Sequence, residues 1–173
     1  IAHIKNNKFI AGTKTGVKFV DLDKNTLIDI INPEKNLLNN RFNDGKCDNK
    51  GRLYVGTMNE VNNEKTGSFY IFYNDLSYKK IDSGYVITNG PAFDNNYKKI
   101  YFTDTGKGKI YTAEINNDGT IREKKLFISI PANEGKPDGM TVDNEGFLWV
   151  AIFGGSCVIK YNKDGKVIDK IIL

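Results

Sequence analysis

Three short segments of this chain hold more hydrogen-bonding side chains than their length needs: "NNRFND" at 39–44, "TNGPAF" at 88–93 and "KPDGM" at 136–140. Among them Arg41, Asn43, Asn89 and Asp138 offer a guanidinium, two amides and a carboxylate. Such groups hold hydroxyls and carbonyls, and Asn and Asp oxygens suit hard cations such as Ca²⁺ or Mg²⁺. A carboxylate also accepts Mn²⁺ or Zn²⁺. Each segment is either an elaborate turn, with Asn or Asp capping its own backbone, or the wall of a polar pocket. Gly90 and Gly139 follow Asn89 and Asp138 directly, which suits a tight turn.

Other chemistries find little support. The one histidine, His3, stands at the extreme N-terminus, a poor place for a Ser-His-Asp or Cys-His mechanism. Cys47 and Cys157 lie far apart with no CxxC spacing, so they are expected as buried free thiols. "GKGK" at 106–109 lacks the spacing of a phosphate loop and reads as a hairpin turn. The 25 basic and 21 acidic residues are scattered, giving +4 without a like-charge run, so no nucleic-acid partner is expected. No apolar run approaches the roughly 20 residues of a membrane span, so no membrane partner is expected either. With no signal peptide visible the expectation is a cytoplasmic protein, although the chain starts at Ile1 rather than Met.

The elements that must position the polar residues come from a repeat. "KFIAG" from Lys8, "RLYVG" from Arg52, "KIYFT" from Lys99 and "FLWVA" from Phe147 recur every 44 to 48 residues, each after a turn rich in Asn, Asp or Gly. A second strand follows each (from Gly16, Gly67, Gly108 and Ser156), then a third (from Leu27, Tyr78, Lys124 and Val167). One more short strand precedes each, from Ile1, Phe42, Asn89 and Asp138. Four strands per unit at this period predict an all-β chain of four consecutive β-propeller blades. The first strand of a blade is innermost, so its entry loop opens on the central channel. Three successive blades would then aim Arg41, Asn43, Asn89 and Asp138 at one mouth, which is more than turn chemistry requires. Asp44, Asp94, Asp104 and Asp143 sit where strands end and are expected to cap turns, and Trp149 to pack between blades.

The same segments carry a family resemblance. "NNRFNDGKCDNKGRLYVGTM", "ITNGPAFDNNYKKIYFTDTGKGKIY" and "KPDGMTVDNEGFLWVAIFGG" resemble the SMP-30/gluconolactonase/LRE family over essentially the whole chain. The resemblance implies a six-bladed ring, of which residues 1–173 would be a part, lacking an N-terminal blade and a C-terminal portion. It implies one divalent metal ion (Ca, Zn, Mn or Mg) on Asn89 and Asp138. A family Glu that also binds the metal belongs to a segment before Ile1. Arg41 and Asn43 match the family's substrate-binding Arg and Asn. A further substrate-side Glu falls by count on Val61, one residue past Glu60, and Glu60 is kept as the candidate. Asp138 is implied as both ligand and general base.

The expected reaction is hydrolytic opening of a sugar lactone, with the metal polarising the carbonyl and acidifying water. A propeller binding module without catalysis and a calcium-binding protein without turnover are the alternatives, since fold alone does not settle function. Four blades out of six would also leave two apolar blade faces bare, each of several hundred Å² by order of magnitude.

Overall fold

The computed structural model describes residues 1–61 and 64–173. Sixteen strands form four antiparallel sheets, each a meander in which successive strands pair. Blade one is β1 (Ala2–Lys5), β2 (Lys8–Thr13), β3 (Gly16–Asp21) and β4 (Thr26–Ile31). Blade two is β5 (Asn40–Cys47), β6 (Leu53–Asn59), β7 (Gly67–Phe72) and β8 (Tyr78–Tyr85). Blade three is β9 (Thr88–Phe93), β10 (Lys99–Asp104), β11 (Lys109–Ile115) and β12 (Ile121–Ser129). Blade four is β13 (Lys136–Val142), β14 (Leu148–Phe153), β15 (Cys157–Tyr161) and β16 (Val167–Ile172). The four-blade propeller architecture read from the repeat is the one observed. No helix among the described residues is long and apolar enough to cross a membrane.

Side-chain alternation along each strand sends neighbouring residues to opposite blade faces. In β7, Tyr70 and Phe72 pack toward blade one with Val17, Phe42 and Val55. Phe69 and Ile71 go the other way, against Phe93, Ile100 and Phe102 of blade three. A third core joins blades three and four through Tyr101, Ile110, Val150 and Ile159. Because both faces are covered, all six residues of β7 and of β9 are buried. Each such apolar side chain contributes about 1.5–3 kcal/mol on burial. Blades one and four have a face without a neighbouring blade among the described residues, and Phe153 is 68% exposed. Trp149 belongs to that face. Its indole donates to Asp143 Oδ2 at 2.8 Å and lies under Lys160.

Polar ties supplement the apolar seams. Arg52 pairs with Asp48 at 2.6 Å in the β5–β6 turn and donates to Asn117 O of blade three at 3.1 Å. Buried Glu34, in the link between blades one and two, accepts from Asn40, Thr57 and Tyr70 at 2.8–3.0 Å. Blades two and three also approach closely at Gly56, where a Cβ would lie 2.2 Å from Thr88 Oγ1. The "GTM" glycine is therefore a seam residue. Asp94 and Asp143 cap their turns as expected, each accepting backbone N–H groups of the following hairpin. Asp104 closes β10 and accepts Val86 N and Ile87 N. Cys157 is buried, whereas Cys47 is part-exposed; both thiols are free.

The three inner strands β5, β9 and β13 share one irregularity. Between Phe42 and Gly45, three steps on β5 match two on β6, from Thr57 to Val55. Asn89 to Ala92 spans two positions of β10, and Pro137 to Met140 spans two of β14. Each inner strand thus holds one extra residue at the same level, a bulge of the kind that re-aims side chains. The bulged residues are Asn43–Asp44, Gly90–Pro91 and Asp138–Gly139, and Gly90 takes φ +75°.

Candidate functional site

The polar residues lie within the inner strands, not in the loops that enter them. Arg41 and Asn43 belong to β5, Asn89 to β9 and Asp138 to β13. The bulges take the place of the expected entry loops in turning these side chains.

A continuous hydrogen-bonded chain joins Arg41, Asn43 and Asn89 and reaches the carbonyl just before Asp138. Arg41 Nη1 donates to Asn43 Oδ1 at 2.7 Å and to Phe42 O at 2.9 Å. Asn43 Nδ2 donates to Thr88 O at 2.7 Å and to Asn89 Oδ1 at 3.0 Å. Asn89 Nδ2 donates to Thr105 Oγ1 at 2.9 Å, and Thr105 Oγ1 donates to Pro137 O at 2.6 Å. Pro137 is the residue before Asp138, so the chain runs from blade two through blade three to blade four.

Glu60 follows β6 and meets Arg41. Its Oε1 lies 3.1 Å from Arg41 Nε, and its Oε2 lies 2.5 Å from Lys14 Nζ. The Lys14 hydrogen bond, with the charges of Lys14 and Arg41, holds the Glu60 carboxyl below its ordinary range. Val61, the alternative by count, is exposed and donates its backbone N–H to Asn59 Oδ1.

Asp44 is not a turn cap at a strand end. It sits in the β5 bulge, its Oδ1 accepting Gly45 N at 2.8 Å and its Oδ2 accepting Gly90 N of the next blade at 3.1 Å. Burial pushes its carboxyl above the usual range. The Gly45 and Gly90 hydrogen bonds and the Lys46 charge oppose this, and the nearby Asp138 charge adds to it. Half-buried Asp138 receives no hydrogen bond from any described side chain or N–H.

Carboxylate and amide oxygens are the donor types a hard cation takes, and the Asp138 charge is felt at Asp44. Among the described residues no three His, Cys, Asp or Glu side chains gather at one point. Sequence reasoning missed Thr105, Lys14 and the role of Asp44. Asp44 had a signal, since it directly follows Asn43; Thr105 and Lys14 had none.

The model of the SMP-30/gluconolactonase/LRE-like region matches residues 1–173. The chain belongs to this family. It is 38% identical over 136 residues to an uncharacterised protein of Sulfolobus acidocaldarius, covering 78% of this chain and 50% of that one. It is 33% identical to the pentonolactonase XacC of Haloferax volcanii, covering 72% of this chain and 43% of the relative. With the L-arabinolactonase of Azospirillum brasilense it shares 30% identity, covering 94% and 55%. The fold superposes on a luciferin-regenerating enzyme with a TM-score of 0.91 at 29% identity, covering all of this chain and 61% of the other. On regucalcin of Agrobacterium tumefaciens, described as a calcium-binding protein, the TM-score is 0.92 at 26% identity, covering 99% and 59%. The chain spans about half the length of the curated relatives it matches.

Proposed function

We propose that these blades carry the site of a metal-dependent hydrolase that opens a sugar lactone. The observation that carries this reading is the hydrogen-bonded chain from Arg41 through Asn43 and Asn89 toward the strand of Asp138, whose carboxylate has no donor. Relatives named as lactonases at 30–33% identity support it. Their greater length supports reading residues 1–173 as part of a larger ring, six-bladed by the family resemblance.

Asn89 and Asp138 would hold the divalent ion, and when bound it supplies a Lewis acid for the lactone carbonyl. Arg41, Asn43 and Glu60 bind the hydroxyls and ring oxygen of the sugar and fix the carbonyl in place. Asp138 accepts a proton from water as the water oxygen bonds to the carbonyl carbon. The ring C–O bond then breaks, and the released oxygen takes up a proton to become a hydroxyl. The product is the open-chain aldonate.

The test is hydrolysis of gluconolactone, followed by acid release, with and without added Mn²⁺, Zn²⁺, Ca²⁺ or Mg²⁺. Metal-dependent turnover that disappears in Asp138→Ala is the expected result. Turnover retained in that variant overturns the reading. A folded protein that binds Ca²⁺ without turnover would favour a calcium-binding role, a reading supported by the description of the Agrobacterium relative.

A further inference from the structure

We propose that Thr105 is a positioning residue for the metal centre: its buried hydroxyl fixes which end of the Asn89 amide meets Asn43 and ties that amide to the peptide before Asp138. The inference rests on the metal reading above and names a residue that reading does not require.

An Asn amide has two ends of nearly equal shape, and only the oxygen end can bind a cation. Something must therefore choose the rotamer. Here the choice follows from groups whose roles cannot reverse. Arg41 can only donate, so the Asn43 atom it meets at 2.7 Å is Oδ1. The Asn43 Nδ2 group then has two acceptors, Thr88 O and Asn89 Oδ1. At the other end, Pro137 O can only accept, so the single Thr105 proton goes there at 2.6 Å. With that proton committed, Thr105 Oγ1 is purely an acceptor. It takes Asn89 Nδ2 at 2.9 Å, and Thr103 Oγ1 at 3.2 Å is left as its second donor.

Flipping Asn89 would put Oδ1 against an oxygen with no proton to give and Nδ2 against the Asn43 amide hydrogens. The chain is thus polarised from both ends, and Asn89 Oδ1 stays on the Asn43 side. Thr105 is 6% exposed and Thr103 fully buried, so water does not compete for these bonds. The hydroxyl also spans a blade seam. It belongs to the 3-10 turn after β10 and holds the carbonyl just before Asp138 on β13. One side chain therefore positions one candidate ligand directly and the backbone of the other.

The experiment is Mn²⁺ binding to the whole protein that carries these blades, measured by the loss of the free-ion EPR signal. Wild type is compared with Thr105→Val, Thr105→Ser and Asn89→Ala, each checked by circular dichroism and thermal melting without metal. Thr105→Val keeps the shape and removes the hydroxyl. It is expected to weaken Mn²⁺ binding by about 10- to 100-fold, the usual effect of losing a hydrogen bond behind a metal ligand. Thr105→Ser should stay within about threefold of wild type, a rescue that a packing role alone would not give. If Thr105→Val does not fold, Thr105→Cys, close in size and a poor acceptor, takes its place.

Wild-type affinity in folded Thr105→Val, with affinity lost in Asn89→Ala, overturns this proposal and leaves the metal centre standing. Unchanged binding in Asn89→Ala, or no Mn²⁺ binding by wild type at millimolar metal, overturns the metal reading and this proposal with it.

Discussion

Asn43 donates its side-chain amide to the Asn89 side-chain oxygen at 3.0 Å, across the seam between two blades. The residue proposed for the sugar and the residue proposed for the cation are therefore one hydrogen-bonded unit. Asn43→Ala removes one acceptor of Arg41 and the donor to both Thr88 O and Asn89. Lactone hydrolysis should fall about 100-fold in kcat/KM, because both neighbours lose their fixed geometry. Unpaired groups left in the seam should cost about 1–3 kcal/mol of stability. Steady-state rates and a thermal melt on the same sample check both, and a wild-type kcat/KM would separate Asn43 from the site.

Glu60 lies between two cations, Arg41 and Lys14, at the rim of the same site. Arg41 keeps its bonds to Asn43 and Phe42 O when the carboxylate is neutralised, so the centre should survive Glu60→Gln. The expected change is a several-fold higher KM with kcat within about twofold, the pattern of lost uniform binding. Added salt should then raise KM less in the variant than in wild type, since part of the electrostatic contribution has already gone. A drop in kcat at unchanged KM would instead put Glu60 in the chemical step.

Glu34 tests the fold rather than the site. Its buried carboxylate collects Asn40, Thr57 and Tyr70 at the joint of blades one and two. Glu34→Ala removes the acceptor of the buried Tyr70 hydroxyl and one acceptor each of Asn40 and Thr57, and should cost about 3 kcal/mol. For a chain of this size that corresponds to a melting temperature lower by roughly 6–12 °C. Lactone hydrolysis well below the melting temperature should remain close to wild type. A melting point within a degree or two of wild type would mean that water replaces the carboxylate.

The fold was legible in the sequence because its signals are local. Alternation of apolar residues in "KFIAG" or "KKLFISI" and the Asn-Asp-Gly turns between them mark every strand within a few residues of its observed position. Arg41, Asn43 and Asn89 were legible as neighbours because the repeat places β5 beside β9, and it sets β13, the strand of Asp138, on the other side of β9. The bulges were not, since one extra residue in a ladder leaves no mark in a chain read by itself. That is why Asp44 looked like a strand end, when it reaches Gly90 of the next blade. Thr105 was hidden for a related reason. Its partners Asn89 and Pro137 stand 16 and 32 positions away and meet only where blades pack. Trp149 was assigned to a seam that the described residues do not form on that face.

Asp118 gives a pH dependence whose sign is fixed by its neighbours. It caps the β11–β12 turn, accepting the Thr120 hydroxyl at 2.7 Å and Thr120 N at 3.0 Å, and pairs with Lys79 of blade two at 3.0 Å. The Thr120 hydroxyl bond first, then Lys79 and the Thr120 N–H, lower its pKa from 3.8 to about 2. A carboxyl whose folded pKa lies below its unfolded one stabilises the fold fully above the unfolded value and ceases to do so as pH falls through the folded value. The stabilisation from Asp118 is therefore complete above about pH 4 and lost between about pH 4 and pH 2. Comparing melting temperatures of wild type and Asp118→Ala along that range checks this. The gap should be constant at higher pH and close as the pH drops to about 2. A gap that persists unchanged at pH 2 would show that the aspartate acts there through its shape and not its charge.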